Sequence, residues 1–174
     1  MADLPDHVNN LIGARKDVLD TPVLLLDLNA LERNISKIST TIIDEAGVGW
    51  RPHTKAMKNP DLARLCLAAG AHGVTCAKLS EAEVMAAGGI TDILVANEVV
   101  GLKKIDRLVD LCSRADIMVC VDDKDNVEQI ARAASAAGVR PRVLIEVDVL
   151  SLIHISEPTR RYAISYAVFC LKKK

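Results

Sequence analysis

Aromatic residues are almost missing from this 174-residue sequence, which holds one Trp, two Tyr and one Phe. Trp50 stands alone before position 150, and Tyr162, Tyr166 and Phe169 all fall in the last 25 residues. No apolar run approaches the roughly 18 residues that a membrane span requires. The opening MADLPDHVNN has no basic segment followed by an apolar one, so no secretory signal is expected there. The five cysteines, Cys66, Cys76, Cys112, Cys120 and Cys170, form no C-x-x-C pair and no tight cluster with histidine. That argues against a disulfide framework and a zinc finger, and for free thiols in a reducing cytoplasm. With a net charge of −1 and no basic stripe, nucleic-acid binding has no electrostatic footprint. What remains is a chain that is 50% hydrophobic and 26% charged, enough for a packed core.

Composition changes at the end of the chain. The last 25 residues hold five basic residues and one acid; without them, 17 basic residues stand against 22 acidic ones, a net charge of −5. Leu150–Arg160 (LSLIHISEPTR) and Ile164–Lys174 (ISYAVFCLKKK) resemble the in-frame translation of a transposase-type DNA-sequencing adapter. Arg161, Tyr162 and Ala163 fill the place of its variable index. On that resemblance, residues 150–174 are expected to be a non-native tail, so His154, Cys170 and Lys172–Lys174 support no functional argument. Residues 1–19 read as a leader and residues 20–149 as an incomplete domain.

Within residues 20–149, strand-like and helix-like segments alternate. Short apolar runs occur at Val23–Asp27, Val48–His53, Gly73–Ala77, Ile93–Ala96, Ile117–Val121 and Arg142–Val147. Between them, apolar residues recur at three-to-four spacing, as in Leu31, Ile35, Ile38 and Ile42. Asn29 with Glu32, Asn59-Pro60, and Ser80 with Glu83 read as helix starts, and Gly47, Gly70 and Gly88-Gly89 as stops. Strands starting roughly every 19 to 26 residues imply βα units and an α/β fold with a parallel sheet. No G-x-G-x-x-G follows the first strand. The pattern alone fits a barrel and a doubly wound sheet about equally.

In a βα barrel, chemistry gathers where strands end. Arg51-Pro52-His53-Thr54-Lys55 lies at such an end. A lysine partly desolvated there becomes a nucleophilic amine. Taken alone, Lys55 is as well read as a surface lysine, and Lys58 competes with it. His53 suits stacking on or hydrogen bonding to a cofactor, and Arg51 holding a phosphate or carboxylate; each also has an ordinary structural reading. Asn97-Glu98 follows another strand, and Glu146 and Asp148 lie on the last one. Asp122-Asp123 reads first as a helix cap.

TPVLLLDLNALERNI (Thr21–Ile35), RPHTKAMK (Arg51–Lys58), KLSEAEVMAAGGITDILVANEV (Lys78–Val99) and VCVDD (Val119–Asp123) together resemble the D-threonine aldolases, 3-hydroxy-D-aspartate aldolases and eukaryotic-type D-serine dehydratases. These have an alanine-racemase-like N-terminal barrel that binds pyridoxal 5′-phosphate (PLP), fold type III. The resemblance implies a partial PLP-binding (β/α)8 TIM-type barrel, truncated after about five barrel strands. In the family's R-P-H-x-K-x-x-K motif the lysine after H-x carries PLP, which maps onto Lys55. Arg51, His53 and Asn97 are then expected to bind the cofactor. Val23–Asp27 would belong with a second, mostly β domain. The family continues after IEVDV with a glycine-rich stretch, where this sequence has Leu150.

The implied activity is cleavage of D-3-hydroxy amino acids, of the D-threonine or D-3-hydroxyaspartate type, to glycine and an aldehyde. A base takes the β-hydroxyl proton and the Cα–Cβ bond breaks, with a divalent metal in the full-length parent lowering the hydroxyl's pKa. A D-serine-dehydratase-type lyase would expel the hydroxyl instead. A non-enzymatic PLP carrier is a third reading, disfavoured by the TPVLLLD segment. The parent is expected to be a cytoplasmic enzyme, with a homodimer as its candidate assembly, that binds a small D-amino acid and no membrane. The 174-residue chain itself is expected to be inactive, because an open barrel leaves sheet edges unpaired.

Overall fold

The computed structural model describes residues 11–147 and 167–169. The chain divides into two compact units, Met1–Asn34 and Ile35–Lys174. In the first, a 3-10 turn at Lys16–Val18 precedes helix α1 (Leu28–Ser39), which continues into the second unit. The expected strand over Val23–Asp27 is not formed: these residues pair with nothing among the described residues, and Leu24 is 98% exposed. A strand needs a partner for its ladder, and none lies among the unit's described residues. Helix α1 is capped by Asp27 rather than Asn29, the Ala30 N–H donating to Asp27 Oδ1 at 2.9 Å.

In the second unit, β1 (Val74–Cys76), β2 (Asp92–Glu98), β3 (Asp116–Val121) and β4 (Arg142–Val147) form a parallel sheet. Helices α2 (Pro60–Ala68), α3 (Leu79–Ala87), α4 (Leu102–Cys112) and α5 (Lys124–Ala137) alternate with them. Sequential strands are spatial neighbours throughout. A doubly wound sheet reverses its strand order partway, whereas a barrel adds each strand beside the last. The sheet is therefore a barrel segment. The strand expected over Val48–His53 is reduced to one parallel bridge, His53 to Thr75. Pro52 lacks an N–H, so pairing relies on its carbonyl, which accepts from the Thr75 N–H at 2.8 Å. At the opposite edge, β5 (Ala167–Phe169) pairs antiparallel with β4.

One face of the sheet packs on the helices. Val74, Ile93, Val95, Ile117 and Val119 are buried against Ala82, Met85, Ile105, Leu108, Ile130 and Ala134. Burying a side chain of this size contributes about 1.5–3 kcal/mol. The intervening residues Leu94 and Met118 point to the other face and are only half-buried. In a closed barrel that face is the filled interior. Trp50 anchors a smaller cluster with Cys66 and Ala71, joined by Ile35, Ile42 and Ile43.

Of the other helix-start signals, two hold and one shifts. Asn59 caps α2, its Oδ1 accepting from Asp61 N at 2.7 Å and Leu62 N at 3.3 Å, with Pro60 in the first turn. Asn59→Ala should lower stability by about 1 kcal/mol, read as a reduced denaturation midpoint with unchanged slope. Asp123 caps α5 by accepting from Asn126 N at 2.8 Å. Ser80 and Glu83, however, do not form a capping box. Glu81 closes the start of α3 by accepting from Ala77 N at 2.8 Å, while Glu83 reaches Arg107 of α4 at 2.8 Å and 2.5 Å. An ion pair with a guanidinium outcompetes the cap.

Candidate active site

The residues from Arg51 to Lys55 span the depth of the sheet, and the structure sends them to different levels. Cα partners run in a row His53–Thr75–Leu94–Met118–Arg142. Arg51 lies two residues before His53, beside the start of β2. Its guanidinium grips Asp92 through two parallel bonds of 3.0 Å each. Asp92 also accepts from Arg142 at 2.7 Å, and Arg142 reaches Asp116 at 2.8 Å. Burial raises Asp92's affinity for a proton, but the guanidinium hydrogen bonds and charges outweigh it and hold the carboxyl below its usual range. This quartet sits at the strand starts, the stabilising end of a barrel. Arg51, expected to bind a cofactor, has its fork filled by Asp92 at the strand starts. The signal was present in the sequence, since Asp92, Asp116 and Arg142 each open a strand.

Lys55 lies at the other end, in a turn immediately past the His53 bridge. Thr54 fixes that turn. It is 1% exposed, its N–H donates to Thr75 O at 2.7 Å, and its hydroxyl donates to the same oxygen at 3.0 Å. Cys76 Sγ lies 3.4 Å from Thr54 Oγ1. Burial pushes the Cys76 thiol up, keeping it protonated. Lys58 N donates back to Thr54 O at 2.8 Å and closes the turn, at a backbone φ of 45°. That left-handed conformation is uncommon for a side-chain-bearing residue. The Lys55 side chain is exposed, so the partial desolvation expected for it is not supplied by the described residues.

His53 is half-buried beside Lys55, and its Nδ1 accepts the Lys55 N–H at 3.1 Å. Burial first, then the Lys55 charge, pull its pKa below the ordinary imidazole value, against an opposing pull from Glu81. Asn97 ends β2 at the same level: its amide donates to Ala77 O at 3.1 Å and its Oδ1 accepts from Glu98 N at 2.9 Å. The register of β2 against β3 slips between Val95 and Glu98. Such bulges re-aim side chains at the ends of strands. Glu146 is lifted above the usual carboxylate range by burial and then by Glu98 beside it. Burial and the Glu146 carboxylate push the Cys120 thiol up to about 12. Asp122 is exposed, and Asp148 lies outside the described residues.

The structure thus brings Lys55, His53 and Asn97 to the side where the strands end, with β1 between the His53 bridge and β2, and holds Arg51 at the strand starts. Sequence reasoning missed Thr54, which ties the turn to Thr75, and Glu81, whose charge acts on His53. A primary amine held on an anchored turn at the C-terminal rim of a βα-barrel segment lies where barrel enzymes gather their chemistry.

The family profile described as "Alanine racemase, N-terminal domain" matches residues 26–151, and the chain belongs to that family. It is 45% identical over 131 residues to D-threonine aldolase of Arthrobacter sp, covering 75% of this chain and 34% of that protein. It is 42% identical over 140 residues to 3-hydroxy-D-aspartate aldolase of Paracoccus denitrificans, covering 79% and 36%. It is 36% identical over 131 residues to D-threo-3-hydroxyaspartate dehydratase of Delftia sp., covering 75% and 34%. Among solved structures, D-threonine aldolase from Filomicrobium marinum superposes with a TM-score of 0.72 at 45% identity, covering 74% of this chain and 35% of that one. The chain spans about a third of the length of the curated relatives it matches.

Proposed function

We propose that this chain is the front part of a PLP-dependent lyase that cleaves D-3-hydroxy amino acids to glycine and an aldehyde, with Lys55 as the covalent anchor of PLP. The observation that carries the reading is the position of Lys55, one turn past a barrel strand in a chain 45% identical to a D-threonine aldolase. The donor set fits the cofactor's aldehyde: an exposed primary amine beside an imidazole, with a carboxamide near the end of β2. Lys55 would hold PLP, with His53 and Asn97 beside it; Arg51 stays in the ion-pair quartet. PLP, when bound, supplies an electron sink for the bonds at the substrate's Cα. The chain's own contribution is to fix the lysine backbone through Thr54 and His53 and leave the amine mobile.

A divalent metal that lowers the pKa of the substrate hydroxyl belongs to the same proposal. Among the described residues, no three His, Cys, Asp or Glu side chains come together to hold one. The identity to a dehydratase keeps loss of the hydroxyl as a second reading. We place the parent in the cytoplasm; no helix among the described residues is long and apolar enough to cross a membrane. We also propose that residues 150–174 are not native to the domain; β5 is then a strand recruited by the open edge of the parallel barrel segment. The full-length parent, given D-threonine and PLP, should release glycine and acetaldehyde. Release of ammonia and a keto acid instead would assign the dehydratase reaction.

A further inference from the structure

We propose that His53 is a positioning residue locked in one tautomer. The Lys55 N–H occupies Nδ1, so the ring carries its proton on Nε2 and offers that N–H to the ligand bound by Lys55. The lock rests on this structure alone; the offer to a ligand rests on Lys55 being the PLP anchor.

A neutral imidazole has one N–H and one acceptor nitrogen, and the bond made by one nitrogen decides where the proton sits. Here the backbone N–H of Lys55 donates to Nδ1 at 3.1 Å. The contact joins a side-chain acceptor to the N–H two residues on, the geometry that asparagine and aspartate use to build local turns. It matters because of what surrounds it. Thr54 is tied to Thr75 by two bonds, and Lys58 N is tied to Thr54 O. His53 itself bridges to Thr75. The Lys55 backbone is therefore held from both sides, through Thr54 and through the imidazole, while its side chain remains exposed.

The charges around the ring favour the neutral form that the lock requires. Lys55 of the same turn opposes a second proton, Glu81 of α3 partly favours one, and burial opposes it. The Glu81 carboxylate is already engaged by Ala77 N at 2.8 Å, which limits its pull. A proton added at Nδ1 would consume the lone pair that holds Lys55. Protonation of His53 and release of the turn are thus one event. Because the native state favours the neutral ring, the unfolded chain binds more protons near and below the ordinary imidazole pKa. The turn's contribution to stability is then present at neutral pH and lost as pH falls through that range.

The test is long-range nitrogen–proton NMR on the full chain, labelled at histidine. Nδ1 should appear unprotonated and Nε2 protonated at neutral pH, and adding PLP should shift the Nε2 resonance. His53→Asn keeps an acceptor at the right reach for the Lys55 N–H, whereas His53→Gln moves its amide outward. Exchange of the Lys55 amide should stay slow in H53N and quicken about tenfold in H53Q. A proton on Nδ1 in the native chain, or equal protection in H53Q, overturns the lock. Trapping PLP on Lys55 by borohydride is the separate measurement. PLP trapped with Nε2 unmoved overturns the donor role, and no PLP trapped overturns the anchor reading and the donor role with it.

Discussion

Replacing Lys55 by alanine should abolish covalent capture of PLP. The bond requires a primary amine within reach of the cofactor's aldehyde, and alanine offers none. The only other amine in the turn is Lys58. Its backbone is turned by the φ of 45°, and it lines a hollow of about 220 Å³ with Ser80, Glu81 and Val84 on the α3 side. Lys58→Ala should therefore keep the label. The measurement is borohydride reduction of the full chain with PLP, followed by peptide mass analysis. Label that persists in Lys55→Ala and vanishes in Lys58→Ala would move the anchor three residues on. A chain that takes up the cofactor would also contradict the expectation that an open barrel cannot hold its site.

Gly73→Ala should be the most damaging single methyl in the sheet. A Cβ at this position would overlap Arg51 Nη1 and the backbone oxygen of Asp92, and would lie 2.9 Å from Asp92 Cβ. The guanidinium could swing aside, though only by giving up its fork on Asp92. The Asp92 backbone cannot move without parting β1 from β2. Overpacking of this kind costs typically 1–3 kcal/mol, and the lost ion pairs place the expected loss near the top, about 3 kcal/mol. For a domain of this size that is a fall in melting temperature of about 10 °C. Thermal unfolding followed by circular dichroism reads it directly; an unchanged midpoint would mean the strands are not this close.

The chain's regular parts were legible because local signals and tertiary packing agree there. Asn59-Pro60 caps α2 as its residues predict, and Asp123 caps α5. Strands β1 to β4 fall where the short apolar runs put them. Misreadings arose where two local partners compete or where the partner is remote. Glu83 had the spacing of a capping box, but Arg107 lies 24 positions away in sequence and wins it. Asp27 displaced Asn29 because a cap depends on which residue enters the helix extended, which spacing alone does not reveal. Val23–Asp27 has strand composition and no strand. Arg51 was the hardest: it is four residues from Lys55 in sequence, yet a strand at about 3.3 Å per residue carries the two toward opposite ends of the sheet. Barrel against doubly wound sheet was undecidable from pattern, because strand order lives in pairing across the sheet.

The quartet of Arg51, Asp92, Arg142 and Asp116 alternates two cations with two anions. It therefore projects little net field toward the strand ends where Lys55 stands. Salt weakens partly exposed pairs like these. Raising ionic strength should accordingly loosen the base of the sheet, and it should also weaken the pull of the Lys55 and Glu81 charges on His53, leaving burial as the part of that shift salt does not reach.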